Sequence, residues 1–286
     1  MAISKINNIA YASLGKFKNV TKANLAKMQN VSKPGPPFAD DKCVDGMSST
    51  SKWLSSYSNL PTTFTHASAH QYWAMVMHFE HATSGNVGLF DLDWSGLNSS
   101  GNSIYLYIQN FGETLFWLFI SGNDGTTHAP IYTTSGEIGN EKVTLTLTAT
   151  GDTIADIKLY VNGGSVHNNT ATTARPKFTA AMNQLALGRR DTVFHFNGQK
   201  FSDFAIFGVA FTESEANEAY NSGTTLDMTT HSQAANLEHY WLMGDGADSD
   251  GTADGADVSG SAYIYDQKAS CDLLMQNMDS TDIVSY

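Results

Sequence analysis

Short apolar stretches recur along the chain, divided by turns rich in glycine, asparagine and serine. Lys142-Val-Thr-Leu-Thr-Leu-Thr148 alternates strictly, which places Val143, Leu145 and Leu147 on one face of a strand. Gln71 to Phe79 is strand-rich with looser alternation. Ser103 to Ile108 follows a Ser-Gly-Asn turn, and Thr114 to Ile120 runs into Ser121-Gly-Asn-Asp-Gly125. Ala155 to Val161 closes at Asn162-Gly163-Gly164, a hairpin signal, and Gln184 to Gly188 and Lys200 to Val209 complete the set. Regularly spaced short strands with glycine turns predict an antiparallel β-sandwich from about Cys43 to about Gly223. One helix interrupts it. Thr212 is its N-cap, Glu215 three residues on completes a capping box, and Gly223 lies beyond its end.

The N-terminus follows a different rule. Ile3 to Ile9, Leu14 to Val20 and Leu25 to Val31 form an internal repeat of 11 residues, each reading apolar, x, Lys, apolar, x, Asn, apolar. Such a period fits a right-handed coiled coil in principle, but the fixed Asn and the β-branched residues suit a short strand with a turn. Lys33-Pro-Gly-Pro-Pro37 then forms a stiff linker. We therefore expect an arm over 1–37, a body over 38–225, and a C-terminal extension over 226–286 that packs on the body.

Composition sharpens this division. The arm holds six lysines and no acidic residue, which leaves ten basic residues against 28 acids in the rest, a balance of −18. So acidic a body is a poor nucleic-acid surface. The arm carries the interaction signal: Ile6, Ile9, Phe17, Val20, Met28 and Val31 supply apolar contacts that an isolated arm cannot bury, and Lys16 and Lys27 supply charge. It is expected to dock on other proteins of an assembly or to self-associate, with a trimer as the expected number. Residues 1–30 lack the apolar core of a signal peptide, and no apolar run reaches the length of a membrane span. Cys43 and Cys271 show neither zinc nor redox spacing and are expected as two buried free thiols, with a bridge across the sandwich termini as the alternative.

Candidate chemistry is sparse. Glycoside cleavage needs paired carboxylates, and no Glu-x-Asp-x-Glu strand occurs; Asp91-Leu-Asp93 comes nearest and reads as strand-end carboxylates at a turn. His66, His70, His78 and His81 read as loop or strand-surface histidines rather than zinc ligands. Asp245, Asp248, Asp250, Asp254 and Asp257 share one glycine-rich loop whose oxygens suit calcium, although the closing bidentate Glu of a calcium loop is missing. Among Trp94, Trp117, Tyr132 and Trp241, Trp94 beside Asp93 is the candidate glycan contact, while Trp117 and Trp241 lie in apolar runs and are expected in the core.

Several of these stretches together resemble a known family. Leu159-Tyr-Val-Asn-Gly163, Leu185-Ala-Leu-Gly188, Phe196-Asn-Gly198, Phe201 to Phe207 and Phe211 to Ala216 are similar to the signature of laminin-G-like, concanavalin-like and pentraxin-like domains. The resemblance spans about Tyr72 to Gly223. It implies an all-β fold, a two-sheet antiparallel jelly-roll sandwich with one short helix and an extended N-terminal arm. The lysine-and-asparagine repeat, Ala235 to Gly244 and Val258-Ser-Gly260 resemble stretches of bacteriophage structural proteins. That second resemblance implies a non-enzymatic virion component, a capsid decoration or fibre, held to other virion proteins by its arm. The alternative is a carbohydrate-binding module that attaches to a surface glycan.

Overall fold

The structure is a computed structural model and describes residues 16–17, 20–21, 42–45, 52–56, 72–81, 85–93, 103–110, 112–121, 127–128, 130–134, 136, 138–139, 141–165, 169–175, 184–190, 194–195, 199–243, 263–269, 271–278 and 282–286. The chain divides into two units, Met1–Ala39 and Asp40–Tyr286. In the first, β1 (Lys16–Phe17) pairs antiparallel with β2 (Val20–Thr21), and Phe17 lies opposite Val20. Only two residues separate these strands, the spacing of a tight hairpin. At its middle copy, then, the repeat is a strand pair.

In the second unit the chain enters through β3 (Lys42–Val44), β4 (Trp53–Ser56) and β5 (Trp73–His81). A meander follows: β6 (Gly85–Asp93), β7 (Ser103–Asn110), β8 (Thr114–Ser121), β9 (Thr127–His128) and β10 (Ile131–Thr133). Next come β11 (Glu141–Ala149), β12 (Ile157–Val161), β13 (Gly164–Ser165) and β14 (Gln184–Leu187). The hairpin of β15 (Arg189–Arg190) and β16 (Phe194–His195) leads to β17 (Lys200–Phe207) and the helix α1 (Glu213–Tyr220). The last strands are β18 (Leu237–Leu242), β19 (Tyr263–Ile264), β20 (Leu273–Gln276) and β21 (Ile283–Ser285).

Two antiparallel sheets result. The nine-stranded sheet runs β10–β8–β7–β6–β14–β4–β20–β19, with β9 on β8. The eight-stranded sheet runs β13–β12–β11–β5–β17–β3–β21, with β18 on β17. Neighbours that are distant in sequence, such as β6 beside β14 and β5 between β11 and β17, are the crossings of a jelly roll. Residues 226–286, expected as an extension packed on the body, supply strands to both sheets: β18 pairs with β17, β20 with β4, and β21 with β3.

The core lies between the inner faces. Met75, Met77, Val143, Leu145, Leu147, Phe204, Ile206 and Trp241 meet Leu54, Ile104, Leu106, Ile108, Phe116, Leu118, Ile120, Leu185 and Leu187. Phe204 links the layers, 6.0 Å from the Phe90 ring and 5.8 Å from Trp241. Cys43 and Cys271 are buried free thiols. Burial pushes the Cys271 thiol up to about 11, so it packs as a small apolar side chain.

The Asn162-Gly163 turn explains its own residues. Both have positive φ, 51° and 74°, as a two-residue hairpin turn of the mirror-image type requires. Asn162 Oδ1 accepts from the Thr144 N–H at 2.9 Å. A Cβ on Gly163 would lie 2.7 Å from Asn217 Oδ1 of α1, so the glycine also lets the helix settle on the turn.

Candidate functional site

The outer face of the eight-stranded sheet is sealed. Thr144, Thr146 and Thr148 alternate with the core residues of β11, yet all are buried. The cover is α1 and the loop behind it, which bring Phe211, Ala219 and Met228 against Ala74, Val76, Ala205, Phe207 and Tyr240. Several polar groups under this cover are paired. His78 Nδ1 lies 2.5 Å from Asp203 Oδ1, His78 Nε2 lies 3.3 Å from the Ala219 carbonyl, and the Tyr240 hydroxyl donates to Asp203 Oδ2 at 3.4 Å. Thr148 Oγ1 accepts from the Phe211 N–H at 2.8 Å. His231 stacks on Phe211 at 4.6 Å, and its Nδ1 accepts from the Gln233 N–H at 3.0 Å. Under α1, this part of the face is packed against the protein itself.

The outer face of the nine-stranded sheet differs. In β7 the aliphatic Ile104, Leu106 and Ile108 turn inward, so Tyr105, Tyr107 and Gln109 turn outward. In β8, Phe116, Leu118 and Ile120 turn inward, and Leu115, Trp117 and Phe119 turn outward. Register brings the outward residues together: Tyr105 opposite Phe119, Tyr107 opposite Trp117, and Ile131 of β10 beside Trp117. The Tyr105 and Phe119 rings lie 4.5 Å apart at 6°, and those of Tyr107 and Trp117 lie 5.9 Å apart at 9°. These four aromatics are half-buried, and Ile131 is 37% exposed. Trp117 Nε1–H donates to Gln109 Oε1 at 3.1 Å, which orients the amide and leaves its NH₂ as a donor. The result is a flat strip of ring surface with an oriented amide at one side, the combination that holds an amphipathic ligand.

This strip differs from the expected sites. Trp117, expected in the core, lies on the outer face, because the residues on either side of it supply the buried set of β8. Tyr132 is fully buried instead of being open for stacking. Its hydroxyl donates to the Ile157 carbonyl at 3.1 Å, bridging the two sheets, and burial raises its ionisation well above the usual range. Trp241 is in the core as expected, its Nε1–H donating to the Cys271 carbonyl at 2.7 Å. His78 and His81, expected at loops or surfaces, are buried: α1 covers the face of β5 that carries His78, and His81 alternates onto the inner face with Met77 and Phe79. Asp91 is 2% exposed and lies within the sheet in register with Tyr105 rather than at a turn. Trp94, the aspartates Asp245, Asp248, Asp250, Asp254 and Asp257, and the arm residues Ile6, Ile9, Lys27, Met28 and Val31 lie outside the described residues. Lys16, Phe17 and Val20 lie in the β1–β2 hairpin. Among the described residues no group of three or more His, Cys, Asp or Glu side chains is placed to hold a metal ion, and no helix is long and apolar enough to cross a membrane.

Comparison with known proteins agrees with this architecture. The family model of the concanavalin A-like lectin/glucanases superfamily matches residues 59–217, more than half of the chain. The protein belongs to that family. Solved structures similar to it include a heptameric SAP-like pentraxin from Limulus polyphemus, at 13% identity and a TM-score of 0.46 over 63% of this chain and 82% of the pentraxin. Another is the CBM40 module of the Ruminococcus gnavus IT-sialidase bound to α2,3-sialyllactose, at 14% identity and a TM-score of 0.45 over 64% of this chain and 100% of the module. The NanB sialidase of Streptococcus pneumoniae aligns at 18% identity with a TM-score of 0.42, over 60% of this chain and 28% of the sialidase. No curated protein sequence matches the chain.

Proposed function

We propose that the sandwich is a non-catalytic carbohydrate-binding domain whose contact surface is the open face of the nine-stranded sheet. The observation that carries this reading is the Tyr107–Trp117 pair, half-buried beside the exposed Ile131 and the oriented Gln109 amide. A sugar ring has an apolar C–H face and a rim of hydroxyls. Aromatic surface receives the first, and amide and phenol groups receive the second. Cleavage would need a second carboxylate facing the first across the bond. Among the described side chains of this face Asp91 is the one carboxylate, and it is buried. A glycan array followed by titration calorimetry tests the reading. Binding by the native chain and its loss in Trp117→Ala are expected; silence across the array would overturn it.

A second reading concerns setting. The lysine-rich repeat, found as a hairpin at its middle copy, supports an assembly role in which the arm anchors the domain to a virus particle. Co-purification with intact particles, lost when residues 1–37 are deleted, is the expected result. Sedimentation of the full chain and of a chain starting at Phe38 would show whether the arm also drives self-association. Calcium on the Asp245–Asp257 loop is a separate proposal: chelation should lower the melting temperature, and Asp248→Asn with Asp250→Asn should abolish that response.

A further inference from the structure

Burial changes steadily along the aromatic strip. One row across the sheet reads Gly88, Tyr107, Trp117, Ile131. Gly88 is buried, the two rings are half-buried, and Ile131 is 37% exposed. The next row repeats the gradient: Asp91 is 2% exposed, while Tyr105 and Phe119 are half-buried. The buried end of both rows is at β6. The chain leaves β14 at Gly188, with φ +76°, and the Gly188 N–H donates to the Leu89 carbonyl at 2.9 Å. The β15–β16 hairpin that follows lies against β6 and β7. The strip therefore has a buried end at β6, where Gly88 and Asp91 lie, and an open end at the short edge strand β10.

Charge along the strip is also distinctive. The outward positions of β7, β8 and β10 carry no charged residue, in a chain of net charge −12. Those positions offer no ionic partner to a charged ligand.

Building on the carbohydrate reading, we infer that the strip binds the end of an uncharged glycan chain: the terminal sugar lies over Tyr107 beside the buried β6 end, and the chain leaves across Trp117 and Ile131. The distance from β6 to β10 is three strand spacings, about 14 Å, enough for a short oligosaccharide. The test is an array of neutral oligosaccharides of increasing length beside sialylated, uronic and sulfated counterparts, read with the native chain, Ile131→Ala and Trp117→Ala. Neutral ligands should bind with affinity that grows over the first few units and changes less than twofold between 50 and 500 mM salt. Ile131→Ala should weaken the longer ligands severalfold and leave the shortest binder within twofold. Binding confined to charged glycans, or an Ile131→Ala effect equal at every length, would overturn the inference while leaving a carbohydrate-binding domain in place. Absence of any binding would remove both.

Discussion

The two outer faces of the sandwich are made from similar strands, and what lies over them separates structure from function. On the eight-stranded sheet, Thr146 and Thr148 of β11, His78 of β5 and Asp203 of β17 are polar residues on a face that a strand pattern assigns to solvent. They are buried because α1 and the loop to β18 close over them, and His78, Asp203 and Thr148 find partners within the covered layer. On the nine-stranded sheet the corresponding positions are aromatic, Tyr105, Tyr107, Trp117 and Phe119, and they are only half-buried. Polar residues thus sit where the fold supplies partners, and apolar rings remain where it leaves surface open. That inversion is the reason we propose the second face as the ligand surface.

The contrast can be broken at the covered face first. Phe207 is fully buried, with its ring 4.7 Å from Phe211 and 5.5 Å from His231. Phe207→Ala should cost about 3–5 kcal/mol in urea unfolding, with carbohydrate binding unchanged at temperatures where the variant is folded. Asp203→Ala should follow closely, at about 3 kcal/mol, since it leaves His78 and the Tyr240 hydroxyl buried without their acceptor. A smaller loss from Asp203→Ala than from an exposed substitution would mean that this polar layer contributes nothing to the seal.

Gly163→Ala comes next, at about 1–2 kcal/mol, because it combines a positive φ with a close approach to Asn217. On the open face Trp117→Ala should cost only about 1 kcal/mol, the order of one lost aromatic pair, while removing glycan binding. If its cost in the same denaturation assay matched that of Phe207→Ala, the strip would be part of the core and the two faces would be alike.

The smallest effect concerns pH. Burial pushes the Glu215 carboxyl up, but donation from the Thr212 N–H, the Gln233 amide and the Thr212 hydroxyl, with the nearby His231, holds it below its usual value. A depressed folded-state value means stabilisation that is present above the unfolded value of 4.5 and is lost as pH falls through the folded one. Melting curves from pH 7 to pH 3 should therefore show the native chain losing more stability than Glu215→Gln. Parallel curves for the two would show that the cap carries no pH-dependent stability.

Much of the fold was legible in the residues. Strict alternation in β11 assigned Val143, Leu145 and Leu147 to the core, the Asn162-Gly163 pair announced its turn, and Thr212 with Glu215 announced the start of α1. These are local effects: side-chain period, backbone sterics and capping act within a few residues of the sequence that encodes them. Part of the site was written there too, since Ser103-Ile-Tyr-Leu-Tyr-Ile108 separates aliphatic from tyrosine positions without ambiguity. What β8 does was not decided locally. Thr114-Leu-Phe-Trp-Leu-Phe-Ile120 is apolar on both faces, so period alone cannot say which set is buried. Pairing with β7 decided it, setting Trp117 beside Tyr107 and sending Phe116 inward. The burial of His78 and Asp203 likewise depended on α1, which is more than a hundred residues from β5 in the chain. Contacts across that separation follow from packing and register, and these exist only once the sheets have formed.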